Sequence, residues 1–162
     1  MKQMDYNGIT LCKIQASLFE NYSSFSSCSP YVFIRRFMNS ELAKRFDNTT
    51  ILLESSSNKT FIDEINEQYG STSFGKDNID KEIMYWVGYV YRYWSYIYDV
   101  PSYILFRHVQ PKMLIDRYYI FHSMDVKYAI DRICEEEEIY IAPNKTITEL
   151  IDEYINFIKN NK

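Results

Sequence analysis

The stretch from Tyr85 to Tyr98 constrains this chain more than any other feature, because eight of its fourteen residues are aromatic. These are Tyr85, Trp86, Tyr89, Tyr91, Tyr93, Trp94, Tyr96 and Tyr98. The stretch falls in the longest predicted helix, so aromatic side chains occupy every side of it. A helix that is apolar all round is either fully buried or buried on one side and offered to a partner on the other.

The composition favours a single all-α domain. The 162 residues are enough for one domain that buries roughly 70% of the surface of its unfolded chain. Only four glycines and four prolines are present, which is a poor supply of turn formers for an all-β fold. We therefore predict short helices around a central aromatic helix at about 79–98. Ser29 with Pro30, Ser40 and Thr60 indicate the starts of three of the short helices. Short extended segments fit near 51–53, where a buried connector fits equally well, and near 139–142.

The cysteines indicate a cytoplasmic protein. Cys12, Cys28 and Cys134 are odd in number and widely spaced, which disfavours a disulfide framework and favours a reducing compartment. The N-terminus does not resemble a signal peptide. The uncharged run from Ile83 to Tyr91 is too short to cross a bilayer, so we expect no membrane segment.

The net charge of −4 is concentrated near the C-terminus, where the segment from Cys134 to Lys162 carries seven acids and three lysines. The rest of the chain is neutral, which disfavours a nucleic-acid partner because such binding needs a basic face. We divide the chain into a helical domain at 1–134 and an acidic linker plus an amphipathic helix at 135–162. That helix, which Thr146 and Glu149 cap, packs on the domain, or on a partner or second copy of the chain. Its predicted partner contacts are Glu149, Asp152 and Glu153.

The aromatic helix predicts two faces. Residues that recur every three to four positions form the core stripe: Ile83, Trp86 or Val87, Val90, Trp94 and Ile97. The opposite stripe is the predicted partner surface: Tyr85, Tyr89, Arg92 or Tyr93, and Tyr96. Tyrosine gives contact area at low entropic cost and one hydrogen bond. Either neighbouring helices cover this face or a partner does, and Gly88 allows a close helix approach in both cases.

Arg35 and Arg36 form a second candidate contact. They lie in a predicted helix among Phe33, Phe37 and Phe46. Paired guanidinium groups can bind a carboxylate, a phosphate or an acidic partner. The alternative is an amphipathic helix whose arginines form internal salt bridges.

A helix-turn-helix can be drawn over 86–109, which makes a DNA-binding regulator the alternative function. The turn would lie at Asp99 to Pro101, and the second helix would offer Ser102, Tyr103 and Arg107 to DNA. This set is small for base readout, and no basic flank surrounds it. An enzyme that holds a small anionic ligand through Arg35, Arg36 or Arg92 is a third alternative.

Catalytic and metal motifs are absent from the sequence. His108 and His122 have no cysteine or carboxylate at ligand spacing, and the isolated cysteines lack a recognisable histidine partner motif. We therefore predict no catalytic residues, no metal and no cofactor.

Two segments resemble a known family. They are SPYVFIRRFMNS at 29–40 and DKEIMYWVGYVYRYW at 80–94. Both are similar to segments of a family of small, uncharacterised proteins from low-GC Gram-positive bacteria, often encoded beside genes for ADP-ribosyltransferase-like toxins. The resemblance covers roughly 30–133 and includes no catalytic signature. It implies an antitoxin or accessory protein that binds such a toxin, and we expect a non-catalytic protein–protein interaction module.

Overall fold

A computed structural model describes residues 1–141 and 147–160, and these form nine α-helices with no strand among them. The all-α prediction is confirmed. Two short 3₁₀ helices, Tyr22–Ser24 and Thr50–Leu53, connect the α-helices. The α-helices are α1 (Tyr6–Asn21), α2 (Pro30–Met38), α3 (Glu41–Asp47), α4 (Asn58–Tyr69), α5 (Lys81–Tyr98), α6 (Ser102–His108), α7 (Pro111–Phe121), α8 (Val126–Glu136) and α9 (Ile147–Asn160).

Serine side chains begin three of the helices. Ser29 and Ser40 each accept a hydrogen bond from the backbone N–H three residues on, and Pro30 occupies the first position of α2. The predicted starts of α2 and α3 are therefore confirmed. Helix α4 begins earlier than expected, because Ser57 rather than Thr60 is its capping residue. Each such cap stabilises a helix by about 1 kcal/mol.

Helix α5 is the centre of the fold, as the aromatic stretch predicts. It packs along α1 and also contacts α6, α7 and α8. Gly88 permits the approach of α1, since a Cβ at this position would lie 2.8 Å from Phe19 Cγ and 3.1 Å from Ala16 Cα. The helix begins at Lys81 and ends at Tyr98, close to the predicted bounds. All residues of the predicted core stripe are buried.

Edge-to-face aromatic contacts connect the first four helices. Phe19 of α1 contacts Phe33 and Phe37 of α2, with ring centroids 5.2 Å apart in both pairs. Phe37 contacts Phe46 of α3 at 5.4 Å, and Phe46 contacts Phe61 of α4 at 5.7 Å. Such pairs contribute about 0.5–1.5 kcal/mol each beyond area burial.

The predicted extended segments are not strands. Residues 51–53 belong to the 3₁₀ helix Thr50–Leu53, and the buried-connector alternative holds for Ile51 alone, because Leu53 is 89% exposed. The turn forms because Thr49 adopts a left-handed conformation and the Asn48 side chain accepts the Thr50 N–H. Residues 139–141 have no regular secondary structure, and residue 142 lies outside the described part of the chain.

The acidic segment begins inside a helix. Helix α8 extends to Glu136, where the sequence predicts a linker from residue 135. Arginines explain the extension, because Arg132 pairs with Glu135 and Arg117 lies 3.5 Å from Glu136. The predicted C-terminal helix exists as α9, and its side chains from residue 151 to residue 160 are exposed. Thr146, and with it the predicted capping box, lies outside the described residues.

Candidate functional site

Three tyrosines stack along one face of α5. Tyr85, Tyr89 and Tyr93 are spaced four residues apart, so successive rings lie one above the other. Both neighbouring pairs have ring centroids 6.4 Å apart, with interplanar angles of 25° and 28°. All three side chains are half-buried. We call this row the tyrosine ladder; it presents ring surface that the neighbouring helices cover only in part.

The hydroxyl groups of the ladder have no hydrogen-bond partner among the described residues, unlike those of Tyr22, Tyr91 and Tyr96. Partial burial raises the pKa of Tyr89 and the pKa of Tyr93. The hydroxyls of Tyr89 and Tyr93 therefore stay neutral over the physiological range and can both donate and accept. A half-buried ring whose hydroxyl has no hydrogen-bond partner among the described residues is well suited to a protein contact.

Tyr96 belongs to the predicted partner surface but already has an intramolecular role. Its hydroxyl donates to Asp5 Oδ1 at 2.8 Å, and Lys2 Nζ lies 5.5 Å from its ring centroid. Burial, with this hydrogen bond to the carboxylate, raises the pKa of Tyr96 to about 12. Tyr96 thus connects the N-terminal residues to α5. It is not part of the ladder.

Arg92 does not lie on the partner surface, so that prediction is wrong. Its side chain is 1% exposed, and three of its groups donate hydrogen bonds inside the protein. Nε donates to Gln15 Oε1 at 2.8 Å, one terminal nitrogen to Asp47 Oδ1 at 2.7 Å, and the other to Ser102 Oγ at 2.7 Å. The guanidinium also lies 5.4 Å from the Phe46 ring centroid. Arg92 therefore joins α1, α3, α5 and α6, and all three of its nitrogens already donate inside the protein.

Of the predicted DNA contacts, one is buried and two are exposed. Ser102 is buried, where its backbone N–H and its hydroxyl both donate to the Asp47 carboxylate, so its assignment to DNA is wrong. Tyr103 and Arg107 are exposed on α6, with the guanidinium 5.4 Å from the ring centroid. Helix α6 has only seven residues, and the two predicted contacts that remain exposed give little surface for base readout.

Arg35 and Arg36 have different surroundings. Arg36 donates to the Gly70 carbonyl and lies over the Tyr69 ring, 5.5 Å from its centroid. Arg35 is exposed and lines a cavity of about 320 Å³ beside Phe74. Neither arginine forms a salt bridge with a described residue, so the internal salt-bridge alternative is wrong. Arg35 is the one of the pair whose guanidinium is open to a partner.

The predicted acidic contacts fall on α9. Asp152 and Glu153 are exposed there, and the Glu149 side chain lies outside what the structure describes. Their assignment to a partner stays a prediction.

The sequence did not reveal a groove at one end of the tyrosine ladder. It encloses about 460 Å³, and it is lined by Glu20, Glu82, Tyr85, Trp86, Tyr118 and His122. Tyr118 is central: its ring meets Trp86 edge-to-face at 5.8 Å and stacks on His122 at 4.5 Å. We call this the aromatic groove. In the sequence, only the four-residue spacing of Tyr118 and His122 indicates the groove. The other lining residues come from separate helices, α1 and α5.

The aromatic groove is acidic. Neither Glu20 nor Glu82 forms a salt bridge with any described residue, and Arg and Lys are missing from the described residues that line the groove. Burial raises the pKa of Tyr118, and the nearby charges of Glu82 and Asp80 raise it further. The groove therefore combines aromatic rings with negative potential.

Within residues 1–141 and 147–160 no cluster of three or more His, Cys, Asp or Glu side chains could hold a metal ion. No helix in the same part of the chain is long and apolar enough to cross a membrane. The chain matches no protein-family model, no curated protein and no solved structure. The tyrosine ladder and the aromatic groove are therefore the features of the molecule that bear on its function.

Proposed function

We propose that this protein is a non-catalytic protein–protein interaction module that binds its partner through the tyrosine ladder. The observation that carries the proposal is the row of half-buried rings at Tyr85, Tyr89 and Tyr93, whose hydroxyls no described residue engages. Tyrosines dominate the binding energy of many interfaces, because they bury a large area and lose little conformational entropy.

The position of the ladder supports this role. It is held on the 18-residue helix α5, whose other side is fixed in the core by Val90 and Trp94. A rigid helix presents its side chains with little entropic cost on binding. The ladder is also continuous with the aromatic groove, since Tyr85 belongs to both, so a partner meets one extended surface rather than isolated rings.

We propose that the partner is an ADP-ribosyltransferase-like toxin and that the protein is its antitoxin or accessory protein. The support is the resemblance of 29–40 and 80–94 to the family described above. Segment 80–94 contains the whole ladder, and segment 29–40 contains the exposed Arg35. The exposed carboxylates of α9 are a second contact in this proposal. We place the complex in the cytoplasm because Cys12, Cys28 and Cys134 are unpaired.

The other two functions have weaker support. DNA binding through α6 is weakened because Ser102 is buried against Asp47 and cannot contact DNA. Ligand binding by an enzyme is weakened because Arg92 is buried and each of its nitrogens already donates inside the protein.

Co-expression with the genomic neighbour tests the proposal. We expect the tagged chain and the neighbouring gene product to co-purify at fixed stoichiometry and the toxin activity of the neighbour to fall in the complex. An unrelated protein with the same tag is the control for resin and tag binding. A folded and soluble neighbour that does not co-purify would contradict the antitoxin proposal.

A further inference from the structure

We propose that the aromatic groove receives a lysine or arginine side chain of the protein partner. This inference rests on the proposed function, because it assigns the charge of the partner surface that meets the end of the tyrosine ladder. Nothing in the sequence pattern pointed to it; it follows from residues of three helices that the fold brings together.

The groove has aromatic surface at the position where a cation would enter. Trp86 and Tyr118 meet edge-to-face at 5.8 Å, and both line the groove. Tyr85 and His122 complete the aromatic lining. A cation within about 6 Å of such a ring face is attracted by the ring quadrupole, and tryptophan is the strongest of these partners.

Two carboxylates lie at the same place. Glu20 comes from α1 and Glu82 from the first turn of α5, and neither is paired with a described cation. Lys81 neighbours Glu82 along the chain but does not line the groove. An incoming ammonium or guanidinium group would therefore meet aromatic rings and two uncompensated negative charges together.

Charge complementarity selects the cation over other occupants. An anionic group would be repelled by Glu20 and Glu82. An apolar side chain would bring these carboxylates toward a drier environment without a compensating charge, which is costly. An ammonium or guanidinium group carries the compensating charge, and its aliphatic stem fits the aromatic surface.

Titration with side-chain mimics tests the site on the full chain. The probes are n-butylguanidinium and n-butylammonium, and n-butylurea is the uncharged match of the first. Binding is followed by the indole N–H resonance of Trp86 in a nitrogen-15 correlation spectrum, with matched NaCl additions. The resonance of Trp94, which is fully buried, is the internal reference.

We expect a saturable shift at Trp86 and none at Trp94. The guanidinium should bind about two- to thirtyfold more tightly than n-butylurea, the range that corresponds to cation–aromatic contacts. The double substitution Glu20→Gln and Glu82→Gln should reduce this preference to below about twofold. Glu67→Gln removes one exposed charge from α4, which does not line the groove, and should leave the preference unchanged.

Equal affinity for cation and urea, or no shift at Trp86 up to about 100 mM probe, would overturn the proposal. If the Glu67→Gln variant loses the preference for the cation to the same extent, the assignment of the cation to the aromatic groove would be overturned. The complex with the neighbour separates this inference from the proposed function. If a stable complex forms and the Glu20→Gln and Glu82→Gln changes do not alter its affinity, the proposed cation contact is contradicted but the proposed function is not. If the groove prefers the cation but the chain forms no complex with the neighbour, the proposed partner is contradicted but the cation site is not.

Discussion

Arg92 shows how one residue can belong to the core of a domain although its charge suggests the surface. The helical period places Arg92 on the stripe opposite the core, together with Tyr85 and Tyr93. Asp47, which is 45 positions away in the sequence, holds Arg92 inside the fold by accepting a hydrogen bond from it at 2.7 Å. Local spacing could not reveal this pairing, because it depends on how α3 packs against α5.

Arg92→Met should lower the free energy of unfolding by about 3–5 kcal/mol, because it leaves Asp47 and Gln15 without their shared donor in a buried site. The methionine keeps most of the aliphatic volume, so the loss of the guanidinium is the main change. Urea denaturation at neutral pH measures the effect.

Arg45→Met is the matched control. Arg45 forms a partly exposed ion pair with Glu54 and Glu64, so we expect a loss of no more than about 1 kcal/mol. An Arg92→Met protein as stable as this control would show that the buried network is not important for stability.

Several tyrosine residues should make the stability fall at high pH. Burial raises the pKa of Tyr22 to about 12 and, together with the Asp5 hydrogen bond, raises that of Tyr96 to about 12. Burial raises the pKa of Tyr91 well above its ordinary value of 10.0, and its hydroxyl donates to the Val109 carbonyl at 2.6 Å. The unfolded chain loses these protons near pH 10, whereas the folded protein retains them.

The contribution of these groups is therefore complete below about pH 10, and that of Tyr22 and Tyr96 is lost as the pH rises through about 12. Urea midpoints and tyrosinate absorbance, measured from about pH 8 to pH 12, test the prediction. Ionisation of every tyrosine near pH 10 in the folded protein would contradict it.

The close packing of α1 against α5 is the main contact at the scale of elements. Gly88 makes it possible, and the sequence correctly indicated a close approach there. Gly88→Ala should destabilise the protein by about 1–3 kcal/mol, although alanine favours a helix, because the added methyl group meets Phe19 and the Ala16 backbone. Urea denaturation measures the difference.

Lys81→Ala in the same helix is the control, since Lys81 is exposed and has no salt bridge with a described residue. We expect it to change stability by no more than about 0.5 kcal/mol. An alanine at Gly88 that stabilises the protein would mean that the two helices can separate without cost.

Local interactions made some elements predictable and others not. The starts of α2 and α3 could be predicted because Ser29 and Ser40 each bond a backbone N–H three residues away. The tyrosine row could be predicted from the spacing of Tyr85, Tyr89 and Tyr93, but how far neighbouring helices cover it could not. The aromatic groove escaped prediction because Glu20 meets Tyr85 only through the packing of α1 on α5.

At the scale of the whole molecule, α9 differs from the other helices. The described side chains of residues 151–160 are exposed, whereas the buried hydrophobic core lies between Leu11 and Ile141. A chain that ends at residue 141 should therefore unfold at the same urea concentration as the full chain, because no described core residue is removed.

Light scattering of the same two proteins tests the predicted self-association. If the exposed apolar side chains of α9, such as Ile155 and Ile158, join two copies, the full chain is a dimer and the shorter chain a monomer. A marked loss of stability in the shorter chain would contradict the independence of the core from α9. Equal monomeric masses would contradict self-association through this helix.

The central claim is that the tyrosine ladder binds the partner. Its most direct test is calorimetry of the complex with the neighbouring gene product, comparing the unaltered chain with the Tyr89→Ala and Tyr93→Ala double variant. The control replaces Tyr103 and Tyr140, which are exposed and outside the ladder. We predict a loss of about 2 kcal/mol or more for the ladder variant and little change for the control. Unchanged affinity in a folded ladder variant would contradict the claim.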